Sequence, residues 1–208
     1  MKLQEHLDQY TRTSDLVEYL EDGIVRCLAC AHSCCLKPGQ RGICKIRFNR
    51  DGQLQVPWGY VSALQVDPIE KKPFYHFRPG ADALTFGMLG CNLQCDYCQN
   101  WLTSQALREE GRDQLVEYLQ VLQPGEVVEY GQRLGAEVVA SSYNEPLITS
   151  EWARDIFKLA RDTKMKNVYV SNGFATRDVL DFLSPFLDGF KVDLKTMQPD
   201  HSANWEAN

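Results

Sequence analysis

All eight cysteines of this 208-residue chain lie in two short stretches. Cys27, Cys30, Cys34, Cys35 and Cys44 form the first, Cys91, Cys95 and Cys98 the second, and the rest of the sequence has none. Disulfide scaffolds with this many cysteines are small and exported, whereas this chain is large and its start, Met1-Lys2-Leu3-Gln4-Glu5-His6, is too polar and acidic for a secretory signal. A cytoplasmic protein is therefore expected. In a reducing compartment, clustered thiols point to metal ligation rather than crosslinking, so two loops of the fold should be organised around metal. The remaining composition, 44% apolar and 24% charged, is that of a soluble globular chain and excludes wholesale disorder. A net charge of −6 gives no basic stripe for nucleic acid, and no apolar run approaches the roughly 20 residues of a membrane helix.

Two grammars divide the chain. Residues 3–20 carry Leu3, Leu7, Tyr10, Leu16, Val17 and Leu20 among charges, which predicts an amphipathic helix interrupted near Thr11-Arg12-Thr13 and ended by Gly23. From Cys27 to about Pro79 the text is rich in Gly and Pro, with short strand candidates at Leu54–Val56 and Tyr60–Val66. Residues 1–80 thus read as a Cys-rich extension offering few core residues, and 81–208 as a second unit. In that unit, strand candidates at Ala83–Met88, Glu137–Tyr143, Asn167–Ser171 and Gly189–Lys195 alternate with helices. The helices are expected over Pro124–Leu134, from Ser150 to about Thr163, and from Thr176 toward Pro185. Alternation of this kind predicts an α/β fold with parallel βαβ units, a partial (β/α) barrel whose site lies at the C-terminal ends of the strands.

The second cysteine group reads Cys91-Asn92-Leu93-Gln94-Cys95-Asp96-Tyr97-Cys98, a C-x3-C-x2-C motif straight after the first of these strands. Three thiolates in one tight loop can hold three irons of a [4Fe–4S] cluster and leave the fourth open to a substrate or cofactor. The other reading, a structural zinc loop, wants four protein ligands where this motif supplies three.

The motif, with aromatic Tyr97 before its last cysteine, resembles the signature of the radical S-adenosylmethionine (SAM) superfamily. Cys98-Gln99-Asn100, the upstream Ile69-Glu70-Lys71-Lys72-Pro73-Phe74-Tyr75-His76-Phe77 and the later Tyr143-Asn144-Glu145-Pro146 narrow the likeness. Together with the opening Cys27-Leu28-Ala29-Cys30…Gly42-Ile43-Cys44, they resemble the AmmeMemoRadiSam-system radical SAM enzymes, relatives of pyruvate formate-lyase activating enzymes. The likeness covers roughly residues 15–200.

The resemblance implies that Cys91, Cys95 and Cys98 ligate a [4Fe–4S] cluster whose open iron is chelated by SAM, beside Tyr97. It places Asn144 and Glu145 at the SAM amino group; the competing reading of Glu145 is a charge at a helix N-terminus. Ser171 and Asn172 resemble a ribose-contacting segment and read equally as a strand-to-helix turn. Asp193 and Lys195 alternate with Val192 and Leu194, so both should point into the barrel mouth, as cofactor ligands or as a structural ion pair. Lys71, Lys72 and His76 carry no assigned role. The implied reaction is one-electron cleavage of SAM to a 5′-deoxyadenosyl radical that abstracts a hydrogen atom, with a flavodoxin- or ferredoxin-type donor. Its target is a glycine in a partner protein or a small molecule.

Four N-terminal thiols, Cys27, Cys30, Cys34 and Cys44, have the spacing of a second metal site, zinc or iron–sulfur, with Cys35 or His32 as substitute ligands. Free packing cysteines are the alternative. The resemblance breaks off around His201 and Ser202, so the sequence also predicts a truncated barrel of four strands, weak in catalysis. A non-catalytic metal-binding module is the rival functional reading.

Overall fold

In the computed structural model, residues 2–109 and 111–197 are described, and the segment around His201 and Ser202 lies outside them. The helix expected over residues 3–20 is realised only as α1 (Leu3–Leu7). After it the chain is extended, as β1 (Thr11–Thr13) and β2 (Val17–Tyr19), where Thr and Val find ladder partners that outweigh a weak helical pattern. The loop-like region condenses into β3 (Val25–Cys27), β4 (Cys35–Leu36), β5 (Phe48–Arg50), β6 (Gln53–Pro57), β7 (Tyr60–Val61) and β8 (Ala63–Pro68). With β1 and β2, the strands β3 to β6 build two small antiparallel sheets, in the orders β1-β6-β5 and β2-β3-β4, while β7 and β8 pair with later strands.

The expectation of few core residues in this region is not met. Val25, Ala29, Leu54, Tyr60 and Val61 are fully buried and join the same apolar cluster as the helices that follow. The cause is tertiary: the inner faces of the small sheets lie against later elements, as where Trp58 meets Trp152 edge-on at 4.9 Å.

The α/β part holds β9 (Asp82–Gly87), α2 (Trp101–Ser104), β10 (Gln120–Val121), α3 (Pro124–Arg133), β11 (Val138–Ser141), α4 (Ser150–Asp162), β12 (Lys166–Ser171), α5 (Arg177–Leu183) and β13 (Gly189–Val192). The fold is mixed α/β. Strands β9, β11, β12 and β13 are parallel and lie side by side in chain order, and β8 pairs antiparallel on the far side of β9. Ala83, Leu84, Thr85, Val138, Val139 and Ala140 are all fully buried, as in a parallel sheet covered on both faces. One face packs on the helices through Leu84, Phe86, Val139 and Tyr169 against Val127, Ile156 and Phe157. The other face, with Ala83, Val138, Ala140 and Val168, is covered by Ile69, Ala81, Phe74 and Phe77. The Ile69–Phe77 motif therefore plugs the sheet.

Helix ends follow local chemistry. Pro124 opens α3, whose Glu126 carboxylate accepts from the Gln123 amide at 2.6 Å, and Gly135 follows its end at φ +74°. Thr176 caps α5 by accepting from the Val179 amide at 3.2 Å. Ser150 does not cap α4: a 3-10 turn over Pro146–Thr149 precedes the helix, and the Ser150 hydroxyl donates back to the Leu147 carbonyl. Leu159 of α4 is exposed.

Candidate functional site

The C-terminal ends of β9, β11 and β12 open onto one cavity of about 290 Å³. Cys91, Cys95 and Cys98 line it, along with Tyr97, Asn144, Glu145, Asn172, Asp193 and Lys195. Nine of the ten residues expected around the cofactors are thus brought together. The tenth, Ser171, is buried beneath the cavity and donates its hydroxyl to Glu145 Oε1 at 2.7 Å.

Glu145 is 2% exposed and is held by three donors. The amide of Leu147 (3.0 Å) and Ser171 Oγ bind Oε1, and the amide of Asn172 (2.8 Å) binds Oε2. Glu145 caps the Pro146–Thr149 turn and also lines the cavity. Burial raises its carboxyl pKa to about 7, against the pull of these three donors and of Lys195. Next to it, Asn144 Oδ1 accepts from the Met88 amide at 3.2 Å, tying the end of β11 to the end of β9. The strands approach closely there, since a Cβ on Gly87 would sit 2.6 Å from the Ser142 carbonyl oxygen. Tyr143, at φ +74°, aims its hydroxyl away toward Lys72, which is buried beside Asp67 at 3.7 Å.

Asp193 and Lys195 lie beyond the end of β13 rather than within it, and both are about one-third exposed rather than buried. They pair at 3.4 Å, and Lys191 also meets Asp193. Their fellow alternating residues, Val192 and Leu194, are 52% and 67% exposed. Tyr97 donates its hydroxyl to the Lys195 carbonyl, joining the cysteine loop to this segment. Burial raises the Cys91 thiol to about 12, with Glu145 adding to the effect. Burial also raises Cys95, opposed by the Lys195 ammonium.

The model of the radical SAM superfamily matches residues 86–206 of this chain. The chain belongs to the radical SAM superfamily. It is also 36% identical, over 185 residues, to an uncharacterized protein of Methanocaldococcus jannaschii. That match takes in 88% of this chain and 53% of the relative, so the chain spans about half the length of the protein it resembles. No described helix is long and apolar enough to cross a membrane.

Radical SAM membership implies a [4Fe–4S] cluster and SAM, and the donor set fits both. Three thiols on one open cavity leave an iron free for a second ligand, and the polar remainder of the lining offers acceptors and a cation for an aminocarboxylate. Two cavity residues that the sequence did not single out are Ser104, 3.2 Å from Cys98 Sγ, and Gln105. The Gln105 Oε1 is buried without a partner among the described residues, a polar end left over by the protein itself. No sequence signal marks this pair, because α2 returns them to the loop from six and seven residues downstream of Cys98. His76 is exposed and takes no part in the cavity.

The N-terminal thiols are also brought together. Cys27, Cys30, Cys34 and Cys44 line one small cavity of about 10 Å³ with His32. Cys35 is exposed and turned elsewhere. Burial raises the pKa of all four lining thiols, and backbone amides oppose it: Ala29 at Cys27, His32 at Cys30, Ile43 at Cys34, Ile46 and Arg47 at Cys44. Arg47 lies beneath, 1% exposed, its Nη1 3.9 Å from Cys27 Sγ and its guanidinium paired with the fully buried Glu151. Among the described residues, no three Cys, His, Asp or Glu side chains converge closely enough to grip a single ion, at either thiol group. All eight cysteines are free of disulfides.

Proposed function

We propose that this chain binds a [4Fe–4S] cluster through Cys91, Cys95 and Cys98 and SAM beside it, for hydrogen abstraction from a substrate. The observation that carries this reading is the meeting of those three thiols with Asn144, Glu145, Asn172 and Lys195 on one cavity. When bound, the cluster and SAM supply one-electron cleavage to a 5′-deoxyadenosyl radical.

The chain's own residues bind, orient and shield. Glu145 presents the acceptor capacity left by its three donors to the SAM amino group, and Ser171 acts through it as a positioning residue. Ionising this carboxyl against its burial is favoured when a cation arrives, so binding should draw its pKa down from about 7. Asn144 and Asn172 add neutral contacts, while Lys195, balanced by Asp193, offers its ammonium to a carboxylate. Tyr97 ties the 193–195 segment to the cysteine loop.

The four parallel strands serve as the first units of a partial (β/α) barrel, with residues 1–80 as its Cys-rich extension. The Ile69–Phe77 and Tyr143–Pro146 motifs support a place among the AmmeMemoRadiSam-system enzymes, near the pyruvate formate-lyase activating enzymes. A one-electron donor of flavodoxin or ferredoxin type, a cytoplasmic setting and either a glycine backbone or a small molecule as target belong to the same reading.

Anaerobic reconstitution should give about four iron and four sulfide per chain, with broad visible absorption. Cys95→Ala should abolish it, and SAM plus dithionite should yield equal methionine and 5′-deoxyadenosine. An iron–sulfur signal that survives Cys91→Ala/Cys95→Ala/Cys98→Ala would sink the proposal. A stable cluster with no SAM cleavage would favour a binding module over an enzyme.

A further inference from the structure

Four cysteines have no part in the chemistry above, yet the fold gathers them. The register of β3 and β4 pairs Arg26 with Cys35, and the Cys27 amide donates to the Cys34 carbonyl at 3.0 Å. Cys27 and Cys34 are thus cross-strand neighbours, at the separation where side chains on one face touch. Cys30 comes from the loop between the two strands, closed by the Ser33 amide donating to the Cys30 carbonyl at 3.0 Å. Cys44 enters from a separate turn, in which the Lys45 amide donates to the Gly42 carbonyl at 2.9 Å. Gly42 is the floor of that turn: a Cβ there would sit 3.6 Å from Cys34 Sγ and 3.8 Å from Cys44 Sγ.

We propose that Cys27, Cys30, Cys34 and Cys44 hold one zinc ion, and that this ion staples the N-terminal hairpin and turn against the cysteine loop of the candidate active site. Zinc is chosen over a second iron–sulfur cluster by size and closure. Four thiolates complete a tetrahedral shell with no open position, and the space of about 10 Å³ between the thiols is room for one ion, whereas an iron–sulfur cube would have to push its walls apart. The surroundings suit the charge. A zinc tetrathiolate is a dianion, and the guanidinium of Arg47 sits against Cys27 while backbone amides face the sulfurs. Coordination replaces thiol protons with metal, so drawing the sulfurs onto one point is part of binding.

The staple reaches the other cysteine group directly. His32, between Cys30 and Cys34, places Nε2 2.8 Å from the Asn92 carbonyl oxygen. The Ala31 amide donates to the Phe174 carbonyl at 3.0 Å. Arg108 donates through one nitrogen to the carbonyls of Ile43 (2.9 Å) and Cys91 (3.2 Å). Gly90, at φ +89°, enters the cysteine loop over the Cys44 carbonyl, which lies 3.0 Å from where its Cβ would be. Loop 88–98 is thus seated on the proposed zinc knuckle.

The test uses the full chain carrying Cys91→Ala/Cys95→Ala/Cys98→Ala, which keeps the N-terminal thiols and removes the other site. Anaerobic titration with Co²⁺ should give thiolate-to-cobalt charge transfer and tetrahedral ligand-field bands saturating at about one ion per chain, displaced by Zn²⁺. Metal should protect the four thiols from alkylation and leave Cys35 reactive. Absence of the charge-transfer band, iron with sulfide in place of zinc, or disulfides among the four in anaerobic protein would each overturn the proposal. Cys34→Ser in this background should lose the tetrahedral spectrum, and Cys35→Ser should keep it. The stapling role has its own readout: Cys34→Ser alone should lower cluster occupancy at Cys91, Cys95 and Cys98, and unchanged occupancy would overturn that part.

Discussion

Cys91, Cys95 and Cys98 stand half-buried on a cavity of about 290 Å³, whereas Cys27, Cys30 and Cys44 are 6–8% exposed and share with Cys34 only about 10 Å³. Three ligands beside an open, polar space leave a metal with something still to bind. Four ligands around a narrow space would complete a metal's shell, as the proposed staple requires. The difference extends to what lies behind each group. Behind the first are partly exposed charges and a Gln105 amide oxygen without a partner among the described residues; behind the second is the buried Arg47–Glu151 pair, with Ser14 bonded to both partners. On the proposals above, the group meant for chemistry keeps polar atoms in reserve and the group meant for bracing commits them.

The largest expected effect falls on the bracing side. Arg47→Met leaves the Glu151 carboxylate buried and unpaired, and should cost about 3–5 kcal/mol in denaturant unfolding. The double variant Arg47→Met/Glu151→Leu should recover much of that. A loss under about 1 kcal/mol for the single variant would mean that the ion pair is not part of the brace.

On the open side, the carboxyl of Glu145 titrates at about 7 in the fold against 4.5 ordinarily. The folded state therefore holds this proton more tightly than the unfolded state. Its contribution is complete below pH 4.5 and is lost as pH rises through about 7, a swing on the order of 3 kcal/mol. Comparing unfolding free energies of wild type and Glu145→Gln across pH 4–8 isolates it, and the difference should drift in that direction. A pH-independent difference would remove Glu145 from the set of poised groups.

Gly90→Ala probes the seam between the two groups. Its Cβ would meet Ile46 at 2.9 Å and the Cys44 carbonyl at 3.0 Å, on a backbone at φ +89°. A loss of about 1–3 kcal/mol is expected, together with less iron per reconstituted chain. Full iron with reduced stability would uncouple the seam from the cluster loop. Smallest of all, Cys35→Ser should change stability by no more than about 0.5 kcal/mol and leave bound metal unchanged, since its side chain is exposed outside both cavities.

What the sequence determined by itself was local. The C-x3-C-x2-C loop, four strand positions within a few residues of those observed, the Pro124 and Thr176 helix starts and the Asn144-Glu145 corner are all written in near neighbours, where spacing and backbone preference act directly. The alternation at Val192–Lys195 was legible too, though the strand ends at Val192 and leaves Asp193 and Lys195 about one-third exposed. Tertiary structure decided the rest. The pattern over residues 3–20 kept one short helix and gave up the rest to two short strands, because β6, more than 40 residues away, and the neighbouring β3 supplied ladders that a marginal helix could not match. The three donors on Glu145 come from its own turn and from the end of β12, so only the parallel register brings them together. Ser104 and Gln105 reach the cavity only because α2 folds back on the cysteine loop, and His32 reaches Asn92 across 60 positions of sequence. Spacing can propose which thiols share a metal, but burial and long-range packing decide whether the space between them is open or closed.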